Sequence, residues 1–128
     1  MSQDLVMGID VGTYETKGVL VTPEGTVVAT EVKAHTIIFP RAGWAEHDAE
    51  STWWGDVAAI SKALLATAGV SSADIKGLGV SAIGPDVLPM DENFQPLRNG
   101  ILYGVDTRAV DEIAEMNERF GEDYIFNA

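Results

Sequence analysis

The chain is 128 residues long, 46% hydrophobic and 22% charged, an ordinary composition for one globular domain. Its 20 acidic residues against 8 basic ones give a net charge of -12, which argues against a nucleic-acid or anionic-membrane surface, since either needs a basic patch. A nucleotide is not excluded, because local backbone N–H groups and a metal ion can hold its phosphates.

Cysteine is absent, so disulfides, zinc–thiolate sites and cysteine nucleophiles are excluded. The opening Met-Ser-Gln-Asp lacks the charged and apolar regions of a signal peptide. No apolar run approaches the roughly 20 residues that span a bilayer. A cytoplasmic protein is expected.

Residues 5–11 (LVMGIDV) predict a strand from apolar density and β-branching. Residues 12–16 form a turn, residues 17–22 (KGVLVT) a second strand, and residues 23–25 a tight turn. Residues 26–34 (TVVATEVKA) alternate well enough for a third strand. Turns this short make the three strands an antiparallel meander, unlike a dinucleotide fold, whose first strand runs into a helix.

Residues 35–47 hold Pro40, Gly43 and few repeating apolar positions, and predict a loop. Asp48 is the expected N-cap of the next helix, with Glu50 favourable in its first turn. Trp53, Val57, Ile60 and Leu64 keep helical spacing, and Gly69 ends the helix. Residues 76–83 (KGLGVSAI) predict a buried strand, reached through a crossover helix and therefore parallel to a neighbour.

Two short strands, 87–91 and 99–105, are expected around a turn at 92–96. A second helix starts at Asp106 or Thr107, with Val110, Ile113, Ala114, Asn117 and Phe120 on its inner face. Asp111, Glu112, Glu115 and Glu118 form a solvated face, and Gly121 ends the helix. The chain stops after residues 123–128 without a fold-level ending. His35 and His47 fall in different elements with no ligand spacing between them.

The first chemistry lies in GIDVGT, residues 8–13. A carboxylate in an apolar strand is costly unless something compensates it. Gly8 keeps the strand free of bulk, and Gly12 permits a positive φ where phosphate oxygens approach. Thr13 offers a hydroxyl and an N–H. Asp10 can hold a hydrated Mg²⁺ bridging nucleotide phosphates, and Lys17 is close enough to meet phosphate charge. The plainer alternative is that Asp10 caps the turn and Lys17 is an ordinary surface lysine.

This loop and the order strand, strand, strand, helix, strand resemble the ribonuclease-H-like half of the actin and sugar-kinase superfamily. Two further blocks narrow the resemblance. GWAEHDAESTWW, residues 43–54, places Trp44, Glu46, Asp48, Trp53 and Trp54 as they stand before the first helix of the FGGY family of carbohydrate kinases. Residues 76–109 are similar to that family's next block, matching at Asp91, Pro96, Leu97, Arg98, Tyr103, Asp106 and Arg108. The resemblance runs through nearly the whole chain and is closest to the xylulokinase-like branch.

It implies an α/β fold: an N-terminal ribonuclease-H-like domain with a mixed sheet, an antiparallel three-strand meander and flanking helices. Residues 1–128 would be the N-terminal part of the family's first domain, with the second domain absent. The implied activity is ATP-dependent phosphorylation of a sugar or polyol hydroxyl, with Mg²⁺. Asp10 would organise the metal, and Gly12, Thr13 and Lys17 would meet the transferring phosphate. Asp106 and Arg108 would help hold the sugar, although an Asp at a helix start is also an ordinary N-cap and an Arg two residues on can simply pair with it.

The chain departs from the pattern at Ile83, Gly84, Pro85 and Asp86, where xylulokinase-like members usually carry Gln-Met-His-Gly. Asp86 either accepts a substrate hydroxyl or caps the Gly-Pro turn. Tyr103 replaces a usual tryptophan but keeps an aromatic wall. The family's general base, second phosphate loop and adenosine motif match no residue here, so an inactive isolated chain is expected. The implied partner is a small sugar or polyol, with a homodimer as the candidate assembly. Two other classes compete: a nucleotide-dependent assembly module of the actin or chaperone type, and a scaffold that has lost its chemistry.

Overall fold

The computed structural model of the chain describes residues 4–127. Strands β1 (Leu5–Val11), β2 (Glu15–Val21) and β3 (Val27–Ala34) form the expected antiparallel meander, with Asp10 opposite Lys17. Strand β2 begins two residues before its predicted start. The Gly12 N–H donates to the Glu15 carbonyl at 2.9 Å, which closes the turn within residues 12–14 and lets pairing resume at Glu15.

Asp48 caps the following helix as expected, its Oδ1 accepting from the Ser51 N–H at 2.7 Å. The first turn, Ala49–Trp54, is π-helical, and α1 (Gly55–Ala68) continues it to Gly69, whose φ of 64° ends it in the left-handed region. Helix α1 lies on one face of the sheet. Leu5, Met7, Ile9, Val11, Leu20 and Ala29 pack there against Ile60 and Leu64. Each buried Leu or Ile contributes about 1.5–3 kcal/mol. Gly18 permits this approach: a Cβ there would sit 2.3 Å from Ile60 Cγ2 and 2.8 Å from Leu64 Cδ1.

After a short 3₁₀ turn at Ser72–Asp74, β5 (Ile75–Ala82) adds to the sheet parallel to β1, giving the order β3-β2-β1-β5. The expectation that this strand is buried fails. Leu78 and Val80 are each 60% exposed, because α1 packs over the meander and leaves β5 uncovered.

The loop at 35–47 ends in a two-residue strand, β4 (Glu46–His47), which pairs with β6 (Gly100–Ile101). The two short strands expected near 87–91 and 99–105 reduce to β6 and single bridges, Val87 with Ile101 and Met90 with Pro96. Gly100 is required here, since a Cβ would meet the Trp53 ring at 2.3 Å. A second small core of Ile37, Ala45 and Leu102 forms beside Trp53.

Helix α2 (Val110–Phe120) starts later than Asp106 or Thr107 and ends at Gly121. Asp106 does not cap it; that carboxylate is engaged with the Ala45 N–H and Arg108 instead. The face expected to point inward is largely open, with Val110, Ile113 and Phe120 exposed. Helix α3 (Glu122–Asn127) follows where the sequence carries no signal, and Ala128 lies outside the described residues. Among the described residues no helix is long and apolar enough to cross a membrane.

Candidate active site

Asp10 stands exposed near the C-terminal end of β1, between Lys17 of β2 and Ser81 of β5. With Gly8 and Gly79 these three residues line an open depression on the face of the sheet opposite α1. The strand ends of open α/β sheets are where ligands bind. The Asp10 carboxylate has no hydrogen-bond or ion-pair partner among the described residues, so it does not cap the turn. Lys17 leans to Glu15 at 2.8 Å, and that contact followed by the charge of Asp10 raises its pKa.

Gly12 does not have the positive φ expected of it. Glycine is needed for a different reason: a Cβ would meet the Glu15 carbonyl oxygen at 2.8 Å and open the turn. Neither the Thr13 nor the Tyr14 N–H has a partner among the described residues. Two free amides beside an unpaired carboxylate form a surface able to take an anion together with its cation.

Under this loop lies a polar cluster that the sequence reading missed. Asp56 is fully buried on the same face of α1 as Ile60 and Leu64. Its Oδ2 lies 2.7 Å from His35 Nδ1 and accepts from the Thr16 hydroxyl at 3.4 Å, while Oδ1 takes the Lys33 ammonium. Burial pushes the Asp56 carboxyl up, and the bonds from Lys33 and His35 outweigh burial and hold it below the usual range. His35 continues to the loop, its Nε2 3.1 Å from the Gly12 carbonyl oxygen. An acidic residue spaced four apart from Ile60 on an apolar stripe was the available sequence signal for Asp56. Nothing local marked His35.

His47 meets His35 edge-on, ring centroids 4.9 Å apart, although the two histidines show no ligand spacing in the sequence. The Trp53 indole N–H donates to His47 Nδ1 at 3.0 Å, which leaves the ring hydrogen on Nε2. Burial, reinforced by His35, pushes His47 below the ordinary imidazole value.

The residues expected to hold the sugar fall in two places. Asp86 Oδ1 accepts the Tyr103 N–H at 2.7 Å, while its buried Oδ2 has no partner among the described residues. Asp106 and Arg108 line a pocket with Pro85 and an exposed Tyr103. Both Asp106 oxygens are engaged: Oδ1 by Arg108 Nε at 2.8 Å, Oδ2 by the Ala45 N–H at 2.7 Å and Arg108 Nη2 at 2.6 Å.

Arg108 Nη2 also donates to the buried Glu46 at 2.8 Å, and its guanidinium lies 3.9 Å above the Trp44 ring. Arg98 and Asn99 complete the Glu46 cage. Arg108 Nη1 is buried without a partner among the described residues. Asp106 is held well below the usual carboxylate range, chiefly by Arg108. Glu46 is also lowered, where bonds from Arg108, Arg98 and Asn99 outweigh a larger single effect of burial.

These shifts give acid sensitivity one sign. For His47 and for Glu46, Asp56 and Asp106, the unfolded chain binds protons that the folded chain rejects, so stability falls as pH falls. The His47 contribution is expected to be lost first, below its ordinary value of 6.5, and the carboxylates follow below 4.5 and 3.8. Denaturant midpoints measured from about pH 7 to about pH 3 check this. A flat profile contradicts it.

The model of the FGGY family of carbohydrate kinases, N-terminal domain, matches residues 5–128. Glycerol kinase 2 of Streptomyces coelicolor is 31% identical over 119 residues, covering 92% of this chain and 23% of that protein. Xylulose kinase of Bacillus subtilis is 33% identical over 117 residues, covering 91% of this chain and 23% of that protein. The crystal structure of xylulose kinase from Rhodospirillum rubrum superposes with a TM-score of 0.82 at 33% identity, covering 93% of this chain and 24% of that one. The chain thus spans about a quarter of the length of the relatives it matches. The fold is the ribonuclease-H-like one expected, and the chain belongs to the FGGY family of carbohydrate kinases, matching its N-terminal domain.

Proposed function

We infer that the full-length protein transfers the terminal phosphate of ATP to a hydroxyl of a sugar or polyol in the cytoplasm. The observation that carries this reading is the unpaired Asp10 carboxylate beside the free Thr13 and Tyr14 amides, at the ends of β1 and β5. The donor set fits Mg²⁺, a hard cation that keeps several waters and commonly takes one or two carboxylates. Among the described residues no three His, Asp or Glu side chains are grouped to hold a metal, so Asp10 would share the ion with water and phosphate. Bound there, Mg²⁺ supplies neutralisation of the charge that develops on the phosphate oxygens.

The chain's own residues then divide the work. Thr13 and Tyr14 point amides at phosphate oxygens, and Lys17 adds a cation by exchanging Glu15 for phosphate. The Glu15 pair is exposed and easily given up. Arg108 Nη1 and Asp86 Oδ2, buried without a partner among the described residues, are the atoms offered to sugar hydroxyls, Asp106 holds Arg108 in place, and Tyr103 walls the pocket. A general base is absent from these roles. Residues 1–128 alone would bind weakly and turn nothing over, since transfer needs a second wall to position reactants and exclude water.

The related proteins are named for xylulose and glycerol, a ketose and a polyol, and the substrate falls in that range. The experiment is a panel of ketoses, aldoses and polyols incubated with the full-length protein and MgATP, with coupled detection of ADP. One substrate class is expected to release ADP well above the sugar-free rate. No stimulation by any member, with nucleotide binding intact, defeats the reading.

A further inference from the structure

His35 touches the phosphate loop twice. Its backbone N–H donates to the Tyr14 carbonyl at 2.9 Å, and its ring Nε2 lies 3.1 Å from the Gly12 carbonyl oxygen. Its other ring nitrogen is fixed 2.7 Å from the buried Asp56 on α1. Lys33 from β3 and Thr16 from β2 hold Asp56 from the remaining sides, and His47 from β4 packs edge-on against the His35 ring. Both ring bonds form together when each nitrogen carries a hydrogen, since a carboxylate and a carbonyl only accept.

The peptide plane converts this contact into ligand geometry. Across a trans peptide the carbonyl and the following N–H point in opposite directions. Drawing the Gly12 carbonyl inward to His35 therefore turns the Thr13 N–H away from the protein, where it has no partner among the described residues. A loop free to flip this plane would present a carbonyl oxygen to an anion instead of an amide.

We propose that His35, braced by Asp56, is a positioning residue that locks the Gly12–Thr13 peptide so that its amide faces the nucleotide phosphate. This rests on the proposed function, and it adds a residue outside the loop whose effect falls on nucleotide affinity rather than on the sugar. Gln and Asn separate the two ring bonds. A Gln amide nitrogen reaches the position of imidazole Nε2 and keeps the donor to Gly12. An Asn nitrogen reaches that of Nδ1 and keeps only the donor to Asp56.

The test compares wild type, His35→Gln and His35→Asn in the full-length protein, by calorimetric titration with MgATP, sugar KM and thermal melting. His35→Asn is expected to weaken MgATP about tenfold, the worth of one hydrogen bond, with sugar KM unchanged. His35→Gln is expected to stay within about threefold of wild type even where its melting temperature drops as far. Equal MgATP affinity in His35→Asn and wild type overturns the proposal, as does equal weakening in both variants.

Amide hydrogen exchange on the wild type gives a readout that no folding defect can obscure. The Thr13 amide is expected to exchange fast in the free protein and to be protected by MgATP, and lack of protection counts against the proposal. A wild type that binds no MgATP overturns the proposed function and this inference together. One that binds while His35→Asn binds equally overturns this inference alone.

Discussion

Replacing Asp10 by Asn in the full-length protein is expected to lower kcat by about 10²–10³-fold while leaving the fold intact. The substitution keeps the shape of the side chain and removes its charge. No hydrogen bond or ion pair among the described residues uses that charge, and Asp10 is exposed. A structural carboxylate in this chain looks different: Asp56, Glu46 and Asp106 each accept several hydrogen bonds. A free carboxylate near the end of an apolar strand, between Lys17 and Ser81, is what the proposed metal role requires. The check is steady-state ADP release with circular dichroism melts on both proteins. Equal turnover would show that the carboxylate organises no metal.

Glu46→Ala is expected to produce the largest loss of stability of any single substitution considered, about 3–5 kcal/mol. Glu46 is 4% exposed and is the common acceptor for Arg98, Arg108 and Asn99. Removing it leaves the Arg108 guanidinium, whose side chain is only 15% exposed, with Asp106 as its remaining carboxylate. Arg98 is more exposed, at 38%, and can rehydrate, which keeps the loss toward the lower end of the range. Urea unfolding followed by tryptophan fluorescence is a direct check, since Trp44 stacks within this cluster. A loss below about 1 kcal/mol, the range of exposed pairs, would mean the cage is solvated in the native state.

How far the sequence carried the interpretation depends on the range of the interactions involved. The meander, the Asp48 cap and the Gly69 stop were legible because each is decided within a few residues by alternation, capping or a left-handed glycine. Strand β5 is parallel to a neighbour as expected, that neighbour being β1, but its expected burial fails, because cover is a property of the packing partner and α1 packs only over the meander. Helix α2 began late because Asp106, a plausible cap by type, is captured by Ala45, which is 61 residues distant in sequence.

The candidate site shows the same division. Asp10, Gly12 and Thr13 lie within GIDVGT, and Lys17 is brought opposite Asp10 by the short turn that follows, so their proximity could be read locally. The reason for Gly12 was misjudged, since steric conflict with the Glu15 carbonyl is visible only once the turn is closed. His35 follows β3, His47 lies in β4 and Asp56 in α1, so they meet only through the tertiary fold and no spacing rule finds them. Glu46 was legible as part of the Trp44–Asp48 pattern, but its role as the acceptor at the centre of the Arg98 and Arg108 cage was not.

The most direct measurement is a crystal structure of the full-length protein with Mn²⁺ and a non-hydrolysable ATP analogue, the metal located by anomalous scattering. The expected result is a manganese peak beside Asp10, with phosphate oxygens accepting from the Thr13 and Tyr14 amides. Phosphates bound elsewhere, with residues 10–14 bare, would contradict the assignment of this loop and with it the proposed chemistry.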